Sequence, residues 1–120
     1  MQQIMTEELT GAALDWAVAV SRKHKPSVGV YLDKPHVFID TPEGRVRYQP
    51  SVQWSQGGPI FDEIVEEFHR EDDGTCWAAS RAFCSRGLTS LQAALRAFVL
   101  ETLGQCVTVP EELVGAFACG

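Results

Sequence analysis

Residues 89–104 admit one local structure. Thr89-Ser90-Leu91-Gln92 is a capping box, in which the hydroxyl of Thr89 and the side chain of Gln92 satisfy each other's backbone amides at a helix start. Leu91, Ala94, Leu95, Phe98, Val99 and Leu103 then make one continuous stripe at helical spacing, and Gly104 is the residue type that ends such a helix. A helix with this stripe needs an apolar cover, so the rest of the chain has to supply one.

Thr10 is a second start signal, with Leu9 and Leu14 placed as a hydrophobic staple, and its helix is expected from Gly11 to Lys23. Ala13, Leu14, Trp16, Ala17, Val18 and Val20 cover more than half its circumference, so most of it should be buried. The cluster Arg22-Lys23-His24-Lys25 stands where cations complement the helix dipole, and Pro26 stops the helix. Between the two helices the signals are of strand type. Val28–Leu32 and His36–Asp40 are rich in β-branched and aromatic residues, Asp40–Gly44 is a turn, and Arg45–Tyr48 alternates polar and apolar positions. Thr75–Phe83 alternates as a covered strand would, Val107–Val109 is a further short strand, and Pro110-Glu111-Glu112 opens a last helix carrying Leu113, Val114 and Phe117. The expectation is a single α+β domain over residues 1–120. Its mainly antiparallel sheet of three to four strands should pack with the N-terminal helix and the long helix of the C-terminal half. Residues 1–8 carry no element signal and are expected without fixed structure. The apolar segment Leu113–Cys119 is left to pack on its own domain or on a twin, so the oligomeric state stays open.

The 120 residues are 45% apolar and 22% charged, which excludes a disordered polyelectrolyte and suffices for one core. The longest uncharged stretch, Tyr48–Phe61, is 14 residues and polar in part, so no membrane span is expected. Met1–Glu8 lacks the basic and apolar regions of a secretion signal, which points to the cytoplasm. Cys76, Cys84, Cys106 and Cys119 form no C-x-x-C pair and read as reduced thiols. Charge is distributed unevenly. Asp62–Asp73 holds seven acids and one base, which equals the net charge of −6 of the whole chain. Such a balance makes nucleic acid an unlikely partner, since phosphate binding calls for a basic face.

Pro50–Pro59 reads as a loop, Pro-Ser-Val-Gln-Trp-Ser-Gln-Gly-Gly-Pro, with Pro59 placed as the first residue of a helix. Ile60, Phe61, Ile64, Val65 and Phe68 recur at helical spacing with acids between them. Asp72-Asp73-Gly74-Thr75 is equally a hairpin turn, so a strand entering it from about Val65 competes with that helix. Two readings of the loop stand side by side. In one, Trp54, Ser55, Gln56, Gly57 and Gly58 form a ligand site: the glycines take positive φ, Trp54 stacks on a ring, and the helix start attracts an anion. In the other, Trp54 fills the core and the glycines permit a turn.

The usual catalytic patterns are missing. His69, Cys76 and Cys84 match no zinc spacing, there is no G-x-S-x-G, and Gln56–Pro59 lacks the Lys-Ser/Thr of a P-loop. No metal or cofactor is expected. Asp62 and Glu63 could hold magnesium, yet adjacent acids on an acidic helix ordinarily form a solvated face.

Several blocks carry a resemblance. They are Leu9–Ala19 (LTGAALDWAVA), Tyr48–Ser51 with Trp54–Ile60 (WSQGGPI), Trp77–Ala79, Leu91–Val99 and Val109–Leu113. In that order the chain resembles the NinX-like family of phage and prophage proteins. Val52-Gln53 stands where the family more often has Ser-Thr-Asp before the tryptophan, and Gly87–Ser90 where it has Gly-Pro-Thr-Pro. A ligand site built on an acid at position 53 would therefore be altered here. The resemblance implies phage or prophage origin and work in the bacterial cytoplasm, and it implies no reaction.

Three functions from different classes remain. The leading one is a non-catalytic accessory protein that binds a host or phage protein, through Asp62, Glu63, Glu66 and Glu67 and their acidic neighbours. The second is a small-ligand or nucleotide module using Trp54–Pro59, and the third a metal-dependent hydrolase or nuclease using Asp62 and Glu63.

Overall fold

The helix that Thr89 opens is the axis of the structure. The computed structural model describes residues 1–118, with side chains as far as Val114. In chain order the elements are β1 (Gln2–Met5), one 3-10 turn (Thr6–Glu8), α1 (Gly11–Ser21), β2 (Ser27–Tyr31), β3 (Lys34–Thr41), β4 (Gly44–Arg47), α2 (Trp54–Ile64), β5 (Glu67–Arg70), β6 (Cys76–Ala79), β7 (Cys84–Gly87), α3 (Ser90–Leu103), β8 (Cys106–Val109) and α4 (Glu111–Ala118). The α+β class and the antiparallel pairing are as expected. The strands, however, form three small sheets in the orders β1-β8, β2-β3-β4 and β5-β6-β7.

The helix start is built as its capping residues dictate, with one shift. The Thr89 hydroxyl accepts from the Gln92 amide at 3.1 Å, whereas the Gln92 side chain accepts from the Leu88 amide at 2.8 Å. At the other end Gly104 takes φ +91, which only glycine adopts without strain. α3 is wrapped on both sides. Leu95, Phe98 and Val99 join Leu14, Val18, Val37, Ile60 and Val109 in the main core. On the opposite side Ala93 and Ala94 meet Cys76 and Ala78 of the β5-β6-β7 sheet. The small residues set the spacing there: a Cβ on Gly87 would lie 2.6 Å from the Ala93 nitrogen, so strand and helix backbones nearly touch. Burying a leucine such as Leu95 contributes about 2 kcal/mol. Half-buried Arg96 ties the two sides together, donating to the carbonyls of Leu9 and Arg86 at 2.8 Å each.

Four expectations are corrected. Residues 1–8 hold β1 and the 3-10 turn, because β8 offers an edge that pairs Gln2 with Val109 and Met5 with Cys106. The strand expected over Thr75–Phe83 ends at Ala79, where the Ser80 amide donates to the Phe83 carbonyl at 2.7 Å and turns the chain into β7. The helix expected to reach Phe68 stops at Ile64, and the competing strand forms as β5. That helix also begins five residues before Pro59, at Trp54. Thr10 is the N-cap of α1 as expected, but its hydroxyl caps nothing. The radius of gyration, 13.7 Å, is that of one compact unit of this length, about 13.6 Å. Leu113 is buried in the main core and Val114 packs against it, while Cys119 and the Phe117 side chain lie outside the described residues.

Candidate recognition face and a second cleft

Gln49 to Gln53 make the turn that starts α2. The amides of Val52 and Gln53 both donate to the Gln49 carbonyl, and buried Pro50 anchors the turn. Pro59 then sits inside the helix. Its missing N–H leaves the Ser55 carbonyl without its helical partner, and Ser55 is exposed, so water can serve it. The two glycines do not provide positive φ, contrary to expectation; each provides an approach. A Cβ on Gly57 would collide with the Pro50 carbonyl oxygen, and one on Gly58 would stand 3.1 Å from the Trp54 ring. Gln56 is a latch, accepting from the Gln49 amide at 2.6 Å and donating to the Arg47 carbonyl at 3.0 Å.

Trp54 departs from the second of its two readings. It is 55% exposed, so it does not fill the core, and it lies along α2 over Gly58. Its ring centre is 5.7 Å from that of Phe61, one heptad on, and Phe61 lies 5.7 Å edge-on to Phe68 of β5. The result is a row of three aromatics across the helix–strand junction. Phe61 also packs against the Cys76–Ala94 cluster, which makes it the rigid middle member, while Phe68 is 39% exposed.

The acidic segment lies on the same stretch of chain. Asp62, Glu63, Glu66, Glu67, Glu71, Asp72 and Asp73 are all exposed. Three have structural work. Glu63 accepts from Arg22 at 3.0 Å, Glu71 faces Arg86 at 3.6 Å, and Asp73 accepts from the Thr75 amide at 2.9 Å, a bond that holds its carboxyl below the usual range. Among the described residues no ion pair involves Asp62, Glu66, Glu67 or Asp72. Asp62 and Glu63 stand in the last turn of α2, where the helix dipole disfavours acids by about 0.3–1 kcal/mol each. No group of three metal-ligating side chains forms around them among the described residues.

A second feature was not foreseen. Between the start of α1 and strand β3 lies a cleft of about 560 Å³, walled by residues that include Gly11, Asp15, Lys34, His36, Ser51 and Val52. Asp15 is 4% exposed; its Oδ1 accepts from the Ser51 amide at 2.8 Å. Burial pushes this carboxyl up to about 7, against the opposing pull of the Ser51 amide and of the nearby Ser51 hydroxyl. That hydroxyl, in a residue 9% exposed, has no partner that meets hydrogen-bond geometry. Burial and the cations Arg47 and Lys34 hold the His36 imidazole below its ordinary value, hence neutral at pH 7. The available signal was Asp15 itself, an acid inside a helix whose apolar residues leave it little solvent.

Fold and surface together define a small α+β protein with an aromatic row exposed at both ends beside an acidic segment of the chain, and no helix of the described residues is long and apolar enough to cross a membrane. The family described as Bacteriophage P22, NinX matches residues 5–102, and the chain belongs to that family of phage proteins. Comparison with curated proteins finds none that matches.

Proposed function

We propose that this phage protein is a non-catalytic interaction protein that works in the bacterial cytoplasm and binds a host or phage protein that presents a basic surface to it. The observation that carries the reading is the row Trp54–Phe61–Phe68, exposed at both ends, on the segment that leads into the acidic stretch Asp62–Asp73. Protein interfaces concentrate their energy in a few aromatic anchors ringed by polar groups, and complementary charge steers encounter and selects partners. Asp62, set against the α2 dipole and without an ion pair among the described residues, is a local cost to folding of the kind functional surfaces retain. Partners captured from host lysate by the wild type should be lost with Trp54→Ala and with Glu66→Lys/Glu67→Lys, and released by salt. Identical captured sets for all three proteins would refute the reading.

A further inference from the structure

We propose that the cleft between the start of α1 and strand β3 is a binding site for a small organic anion, its charged head against the first turn of α1 and Lys34, its apolar body toward Val52 and Leu113. The cleft's volume, about 560 Å³, lies within the few hundred to one thousand Å³ typical of ligand pockets.

Three independent features favour an anion there. The first turn of α1 is an open positive pole: it contains no acid, the Thr10 hydroxyl does not cap it, and a Cβ on Gly11 would meet nothing within 4 Å. Helix starts with free amides and room above them accept carboxylates and phosphates. Exposed Lys34 on the facing wall adds a full positive charge at the cleft mouth. The Ser51 hydroxyl, nine-tenths buried in a residue that lines the same cleft, lies near the Asp15 carboxyl without a hydrogen bond of good geometry, and it can donate to a ligand. Asp15 does not oppose this assignment. With its carboxyl pushed up to about 7, a large share of it is protonated at neutral pH, and in that form it donates a hydrogen bond instead of repelling the head group. The other titratable groups facing the cleft are Lys34, which is cationic, and His36, which is neutral at pH 7.

Phenyl phosphate and benzoate test the site, because each joins an anionic head to an apolar ring; benzyl alcohol has the ring without the charge. In ¹H–¹⁵N correlation spectra of the full chain, at least one of the two anions at millimolar concentration should move the amides of Gly11, Ala12 and Ser51. Benzyl alcohol should leave them in place. Lys34→Glu should weaken the anion about tenfold, the equivalent of ~1.4 kcal/mol, and Val52→Trp, at the exposed lip, should abolish the shifts. Both positions are exposed, and the dispersion of each variant's spectrum reports that it is folded. Spectra unmoved by either anion, shifts equal to those from benzyl alcohol, or shifts insensitive to both substitutions would overturn the proposal.

Discussion

Replacing Asp15 by Asn should stabilise the protein above neutral pH and leave it unchanged in acid. Asn keeps an oxygen to accept from the Ser51 amide, so the 2.8 Å bond survives while the charge is removed. A carboxyl raised from 3.8 to about 7 by folding holds its proton in the folded state over a range where the unfolded chain has released it. Stability from this group is therefore complete below pH ~4, falls as pH rises, and is lost once pH passes about 7. At ~1.36 kcal/mol per pH unit the full span amounts to ~4 kcal/mol. Relaxation and water entering the cleft reduce the effective penalty, and a gain of about 2 kcal/mol at pH 8 is expected. Urea denaturation of both proteins between pH 3.5 and pH 8.5 measures it, and the difference between the two curves removes the contributions of His36 and the other titrating groups. The variant should gain roughly 4 °C in Tm for each kcal/mol. A constant difference across the pH range, or a variant less stable at pH 8, would show that Asp15 is charged and satisfied in the folded state.

Two further substitutions test the packing. Gly57→Ala places a methyl against the Pro50 carbonyl, which is backbone and cannot swing aside; it should cost about 1–3 kcal/mol by chemical denaturation, although alanine favours helix. Leu32 and Asp33 take φ of +51° and +64° in the turn between β2 and β3. Leu32→Asn/Asp33→Gly puts there the pair this turn prefers, and should raise stability by roughly 1 kcal/mol in the same assay.

Legibility in the sequence followed how local each cause was. The helix from Ser90 was visible because its cap, stripe and terminator lie within sixteen residues of one another. β1 was invisible because Gln2-Gln3-Ile4-Met5 has neither a cap nor a clean alternation, and its stability comes from a partner strand a hundred residues away. β7 was missed because Cys-Ser-Arg-Gly contains no β-branched residue; Gly87 is there for its close approach to α3. The turn at Leu32-Asp33 lacks the glycine or asparagine that would announce it. Pro59 had the largest consequence. Read as a helix start, it placed Trp54 in a loop and hid the seven-residue spacing that lays Trp54 beside Phe61.

The central claim is that Trp54, Phe61 and Phe68, with the acidic segment Asp62–Asp73, meet another protein. A photo-crosslinking residue, p-benzoylphenylalanine, at position 54 or 68 tests it most directly, with the same residue at Glu43 in the exposed β3–β4 turn as the reference. Irradiation in host cells should join positions 54 and 68 to one common protein that carries a basic surface, and Glu66→Lys/Glu67→Lys should suppress the adduct. Adducts at position 43 as abundant as those at 54 and 68, or adducts indifferent to the charge reversal, would contradict the claim.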